Sequence, residues 1–306
     1  MNISETKIPL YETLFLIIQF ISYAIYVLLA ITLIVKMKYT KKNYNGKYSF
    51  YIQFIVNLFY DVGQAFVVIV FQKFLKWGIF VDYLIKSSWT HSLYAPSCYI
   101  LIAGSVIGNF IALANRYCAL QYPYFYRNKW DKKFSIILIC TQIFLPILMF
   151  CHTFNTSTTI IYSTEMQSYT FFILNDKISI LNNIILAIIA GTCSTISIFF
   201  NCVIIYKYNK IISQINSKKE KSKLISIVIY VSITNLSLFG LSIQQTLRMI
   251  FGIQRDYYMI FTLSHFLFWI VPLSNIFQPY MVLFLSKHLR RKFVSMYFRP
   301  CISKKY

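Results

Sequence analysis

The stretch ISILNNIILAIIAGTCSTISIFFNCVIIY, residues 178–206, contains no Asp, Glu, Lys or Arg. A helix rises about 1.5 Å per residue, so roughly 20 residues cross a hydrocarbon core about 30 Å thick. This run is longer than that. Six further runs share its character, at about 11–35, 49–71, 92–114, 134–151, 224–247 and 257–286. Only two acids enter them: Glu12 at the rim of the first and Asp61 deep in the second. In lipid each backbone polar group must be bonded within its own segment, so runs of this length read as helices. Strands of a membrane barrel would alternate in polarity over about 10 residues, and these do not.

Composition agrees. Of 306 residues, 58% are hydrophobic and 13% charged, against roughly a quarter charged in a soluble domain. The 25 Tyr, 28 Phe and 4 Trp exclude disorder. Seven cysteines in so long a chain do not make a disulfide scaffold. The opening MNISETKIPLYE carries Glu5 and Glu12 against a single lysine, unlike the basic start of a cleaved signal. The expectation is an all-α integral membrane protein: one domain over residues 1–306, built as a bundle of seven transmembrane helices.

Charge orients it. Lys36–Lys47 follow the first run, Arg116–Lys133 the third and Lys207–Lys223 the fifth, and residues 287–306 form a basic tail. These four segments account for the whole formal charge of +21, while the opposite side is balanced. Basic residues in short loops mark the cytoplasmic face. The N-terminus is therefore expected outside and the tail inside. Such charge complements an anionic leaflet, and no nucleic-acid partner is expected. The sequons at Asn2 and Asn155 both fall outside and are candidate glycosylation sites.

The densest local signal is NRYCALQYPYFYRNKW, residues 115–130. Asn115-Arg116-Tyr117 with Pro123 resembles the D/E-R-Y end of the third span in rhodopsin-like G-protein-coupled receptors. The whole stretch is similar to nematode serpentine chemoreceptors of the gamma-like superfamily. That resemblance implies a sensor of a small extracellular molecule that activates a heterotrimeric G protein, in the cell membrane and at a neuronal sensory cilium. It implies coupling through Asn115, Arg116, Tyr117 and Pro123. The plainer reading makes Arg116 an inside-positive anchor that snorkels to the interface. The chain also departs from the rhodopsin-like pattern. Its sixth span reads SLFGLSIQQ, with Gly240 and no Cys-Trp-x-Pro, and its fifth span has no proline.

A deep carboxylate is costly in lipid, so Asp61 is a candidate functional residue. With Asn57, Asn275, Pro279 and Tyr280 it forms a candidate ion or switch site, where the rhodopsin-like resemblance implies sodium. The competing reading is a hydrogen-bonded group that joins helices. Polar residues in the outer halves of the spans are candidates for a ligand pocket: Tyr94, Cys98, Tyr99, Asn182, Gln244, Gln245, Arg248, His265 and Trp269. The four histidines lack partners at ligand spacing, so neither a metal nor another cofactor is expected. Cys98 and Cys151 are the two cysteines near the outside, and the sequence leaves their pairing open. After residue 286, Leu289, Phe293, Met296 and Tyr297 share one stripe of a short amphipathic helix expected on the inner surface. No acid–base constellation suggests an enzyme. A seven-span ligand-gated channel and a small-solute transporter are the alternatives.

The charge asymmetry gives the first test. An epitope tag at the N-terminus should be labelled on intact cells, and one after Tyr306 only after permeabilisation; the reverse pattern would overturn the orientation.

Overall fold

The computed structural model describes residues 8–39, 46–130, 132–164, 167–214 and 218–298. Asn2, the end of the tail and the tip at 165–166 lie outside them. The long helices are α1 (Leu10–Tyr39), α2 (Gly46–Val68), α3 (Ser88–Gln121), α4 (Lys132–Met149), α5 (Asp176–Gln214), α6 (Lys218–Gln254) and α7 (Tyr257–Leu285). A short helix, α8 (Lys287–Tyr297), follows. Among the described residues, Leu10–Lys38, Ser49–Lys76, Ser88–Gln121, Asp176–Lys210 and Ser232–Gln254 are long and apolar enough to cross a membrane. Lys133–Met149 is a shorter apolar helix. Tyr257–Leu285 carries no charged residue.

The outward faces are apolar. Leu14, Ile18, Phe20, Phe59, Phe66, Phe144, Leu148 and Phe199 are all exposed. A soluble monomer avoids so much exposed apolar surface, whereas in lipid it is the solvated face. The polar residues turn inward instead, and α3 is the most enclosed of the five long apolar helices. Its Tyr99, Ile102, Val106 and Ile107 pack with Leu186 and Ile189 of α5, Leu238 and Leu241 of α6, and Leu267 of α7. A second cluster joins Tyr26, Leu29 and Leu33 of α1 to Phe54 and Leu58 of α2 and to Leu289 and Phe293 of α8.

Close approach of α2, α3 and α4 rests on Gly104 and Gly108. A Cβ at Gly104 would stand 2.1 Å from the Tyr60 ring. One at Gly108 would stand 2.2 Å from Gln142 Nε2 and 2.3 Å from Asn57 Oδ1. The space is filled by a buried amide cluster. Gln53 Nε2 donates to Asn57 Oδ1 at 2.9 Å and to Gln142 Oε1 at 2.6 Å. Gln142 Nε2 donates to Asn57 Oδ1 and to the Gly104 carbonyl, each at 3.0 Å. Small residues let the backbones meet, and interhelical amides join them.

Three features depart from the sequence reading. First, the outer loop is not all irregular: β1 (Thr158–Ser163) pairs antiparallel with β2 (Ser168–Ile173). Both strands are rich in β-branched and aromatic residues, and Gln167 at φ 49° turns the chain between them. The protein is thus not purely α-helical. Second, α2 passes into a π-helical turn, Ile69–Lys73, and continues as Phe74–Lys76, beyond the expected end at 71. Third, Cys140 and Cys202, small apolar residues within uncharged runs and so expected to be buried, are exposed on their helices. Cys98 and Cys151 are both free.

α8 starts at Ser286, whose hydroxyl accepts from the Leu289 amide at 3.3 Å. It buries Leu289 and Phe293, and the Tyr297 hydroxyl donates to the Leu28 carbonyl at 3.1 Å. Met296, expected on the same stripe, is largely exposed.

Replacing Gly108 with Ala should displace the Gln142 and Asn57 amides and cost about 2–4 kcal/mol through unmade buried hydrogen bonds. Gly240→Ala, whose Cβ would find its nearest neighbour at 3.8 Å, should be neutral. Thermal unfolding of the detergent-solubilised protein measures both. Equal midpoints would dismiss the clamp.

Candidate functional site

At the end of the bundle that carries the hairpin, the helices surround a narrow cavity of about 50 Å³ that opens to the surface. Tyr94 and Tyr99 of α3, Arg248 of α6, Phe261 and Ser264 of α7, and Gln72 of the π turn line it, with residues 170–173 of β2 across the top. The π turn inserts one extra residue into α2, which re-aims the side chains beyond it. Gln72 thereby faces the cavity, while Lys73 is buried over the rings of Phe15 at 5.5 Å and Trp77 at 6.0 Å. Phe171 of β2 stacks on Tyr94 with centroids 4.3 Å apart and meets Phe71 edge-on at 5.6 Å. The hairpin is also held where Thr158 Oγ1 donates to the His91 carbonyl at 2.6 Å.

Of the nine pocket candidates, Tyr94, Tyr99 and Arg248 line this cavity. Cys98 is buried behind them, packed with Val67 and Leu84. Asn182 Oδ1 lies 2.7 Å from His152 Nε2. Gln244 donates to the Leu263 carbonyl at 2.9 Å and accepts from Gln245 at 2.7 Å. Trp269 faces α1 instead, stacking on Tyr11 at 5.9 Å and on Phe15 at 4.6 Å. His265 is half-buried nearby, within electrostatic reach of Glu12 and Lys76. Those two form an ion pair at 2.5 Å, and Trp77 Nε1 donates to Glu12 Oε2 at 2.7 Å.

Deeper in the bundle, Asp61 is fully buried. Ser105 donates to its Oδ1 at 2.7 Å, and the Tyr26 hydroxyl lies 3.3 Å from its Oδ2. Tyr26 also reaches Gln278 Oε1 at 2.9 Å, which ties the group to α7. Beside it lies a small cavity lined by Gln64, Ser105, Asn109 and Ser237, and the Gln64 amide is buried with neither atom bonded. Asn57 belongs to the amide clamp. Asn275 is buried and lies against Tyr23. Pro279 is inside α7, and the Tyr280 hydroxyl lies 3.0 Å from Ser22 Oγ. Among the described residues no group of three His, Cys, Asp or Glu side chains converges on a point.

At the opposite end of α3, Asn115 is buried and accepts from the Tyr126 hydroxyl at 3.1 Å. Burial pushes that hydroxyl above the ordinary tyrosine range, although its bond to Asn115 opposes this. It is therefore a donor throughout the physiological pH range. Arg116 lies over the Phe50 ring at 5.6 Å and lines a small cleft of about 20 Å³ with Asn109, Leu113 and Asn235. Tyr117 stacks on Phe200 of α5 at 4.2 Å. Pro123 opens the short helix Pro123–Lys129, at the position where a missing N–H costs nothing. Trp130 closes the loop, donating from Nε1 to Ser49 Oγ at 2.9 Å. Lys207 of α5 caps α3 by donating to the Leu120 carbonyl at 2.5 Å and to Gln121 Oε1 at 3.1 Å. A cation there complements the helix dipole. Asn155 is exposed at the end of the turn Cys151–Asn155.

A helical bundle with apolar outward faces, a cavity at one end and a basic opposite end has the form of an integral membrane protein. Residues 15–299 match the serpentine type 7TM GPCR chemoreceptor Srv family, and the chain belongs to it. No curated protein sequence matches it.

Because Ser105 can donate to an amide oxygen as well as to a carboxylate, Asp61→Asn should leave the unfolding midpoint within a few degrees of wild type. Asp61→Leu strands the Ser105 hydroxyl and should cost about 1–3 kcal/mol. Matched unfolding curves for the two variants would remove Asp61 from the structural network.

Proposed function

We propose that this chain is a G-protein-coupled chemosensory receptor with seven spans, α1–α7, its N-terminus outside and α8 on the inner surface. A small extracellular molecule occupies the cavity beneath the hairpin, and a heterotrimeric G protein engages the inner end. The observation that carries this reading is the placement of both sites on one rigid element. Tyr94 and Tyr99 line the outer cavity, and Arg116 lies on the same α3 helix about 25 Å away along its axis. A sensory cilium is the cellular site that the resemblance suggests.

In mechanism, a ligand acts only through its differential affinity for two states of the bundle. Contacts from α3, α6, α7 and β2 converge on the cavity, so a ligand there favours one arrangement of α6 against α3. At the inner end α3 is held to α5 by the Lys207 bonds and to α2 by the Arg116–Phe50 contact, and both resist a shift of α3. Releasing both exposes the inner cleft and frees Arg116, whose planar fork of donors suits backbone or carboxylate oxygens of a partner. A sodium ion near Asp61 is part of this reading: the Ser105 hydroxyl that contacts the carboxylate and the unpartnered Gln64 amide line one small cavity. When bound, the cation would supply the positive charge that a buried carboxylate otherwise lacks, and Asp61, Ser105 and Gln64 would hold it.

Arg116→Lys keeps the charge and loses the fork. In membranes containing a heterotrimeric G protein, it should reach the surface at wild-type density yet lose most basal nucleotide exchange. Unchanged exchange would make Arg116 an anchor alone. Wild-type membranes that never exceed mock membranes would count against coupling.

A further inference from the structure

The outer cavity contains a cation that forms no ion pair among the described residues. Arg248 lines it from α6, within electrostatic reach of Tyr94, Cys98 and Tyr99. Its Nε is buried and has no partner. Among the described residues no ion pair involves Arg248. The acid that lines the cavity, Asp176, stands at the first turn of α5 and accepts from Tyr257 at 3.3 Å. Arg248 is also not a snorkelling anchor. Helix α6 runs six further residues beyond it, to Gln254, and its Nε is enclosed by protein.

A half-buried guanidinium whose Nε is enclosed without a hydrogen-bond partner is costly. The cost is offset when a ligand supplies the charge. Arginine in particular binds planar oxyanions with two parallel bonds. The rest of the lining says what the anion is attached to. Tyr94 and Phe171 stack as one wall, Phe261 and Ile260 line it further, and hydroxyls come only from short or aromatic side chains. Gln72 adds a buried amide oxygen without a donor, which a second negative charge would repel.

We propose that this site takes a small monocarboxylic acid with an aromatic or aliphatic body, its carboxylate held by the Arg248 guanidinium. Its apolar body lies against Tyr94 and Phe171 under the hairpin. This rests on the reading of the outer cavity as the ligand site and names the chemical class that site selects.

The test uses the purified full-length protein in nanodiscs and needs no known ligand. Phenylacetate and octanoate are compared with their primary amides and with the matching amines, by thermal shift and by competition. The acids should bind, the amides should bind at least about tenfold more weakly, and the amines should not bind. Arg248→Gln should weaken the acids by about ten- to a hundredfold and leave the amides unchanged. Acid-versus-amide discrimination by the wild-type protein keeps the test decisive even if Arg248→Gln fails to fold. Amides or amines that bind as well as the acids would overturn the proposal, as would the absence of acid binding or unaltered acid affinity in Arg248→Gln. Nucleotide exchange measured in parallel separates the two readings. Acid binding without exchange would count against G-protein coupling alone, whereas exchange driven by neutral compounds would overturn the carboxylate assignment alone.

Discussion

The amide clamp between α2, α3 and α4 is the constraint on which the rest of the bundle depends. In lipid, burying leucine gains little over leaving it against acyl chains, so helices associate through close packing and polar contacts. Gln53, Asn57 and Gln142 form such contacts because Gly104 and Gly108 remove the side chains that would keep the backbones apart. With α2 and α3 fixed, Ser105 is held against Asp61 one turn further out. The same registration carries the π turn, and with it Gln72, to the wall of the outer cavity.

The helical architecture was legible in the sequence because uncharged runs longer than a bilayer is thick have few other readings. Apolar helices run through 178–206 and 92–114 and extend past both ends, since hydropathy marks the lipid-facing length and the helix continues into polar turns. The hairpin was not legible. Its strands are six residues each, flanked by the apolar ends of two helices, and a search for long uncharged runs passes over them. A search for short runs of β-branched and aromatic residues would have found Thr158–Ser163.

The site was legible in part. Tyr94, Tyr99 and Arg248 stood out as polar groups in outer half-spans, and they line the cavity. Asn182, Gln244 and Trp269 have the same signature but are turned to neighbouring helices. Residue type does not reveal which face of a helix meets a partner when every face is apolar. Gln72 was missed because the second uncharged run was read as ending at 71, and nothing in IVFQK announces the π turn that carries the helix on. Trp130, read as part of a motif, proves to be the peg that fastens the inner loop to Ser49.

The hairpin over the cavity has a consequence for where this receptor can work. It is fastened by the Thr158–His91 bond and by Phe171 wedged among Phe71, Tyr94 and Leu75. Cys98 and Cys151, the cysteines nearest to it, are free thiols. The cover is thus secured without a covalent staple, and its shape is indifferent to the redox potential of the surrounding fluid. Reductants and oxidants that open or scramble extracellular disulfides leave this seal as it was.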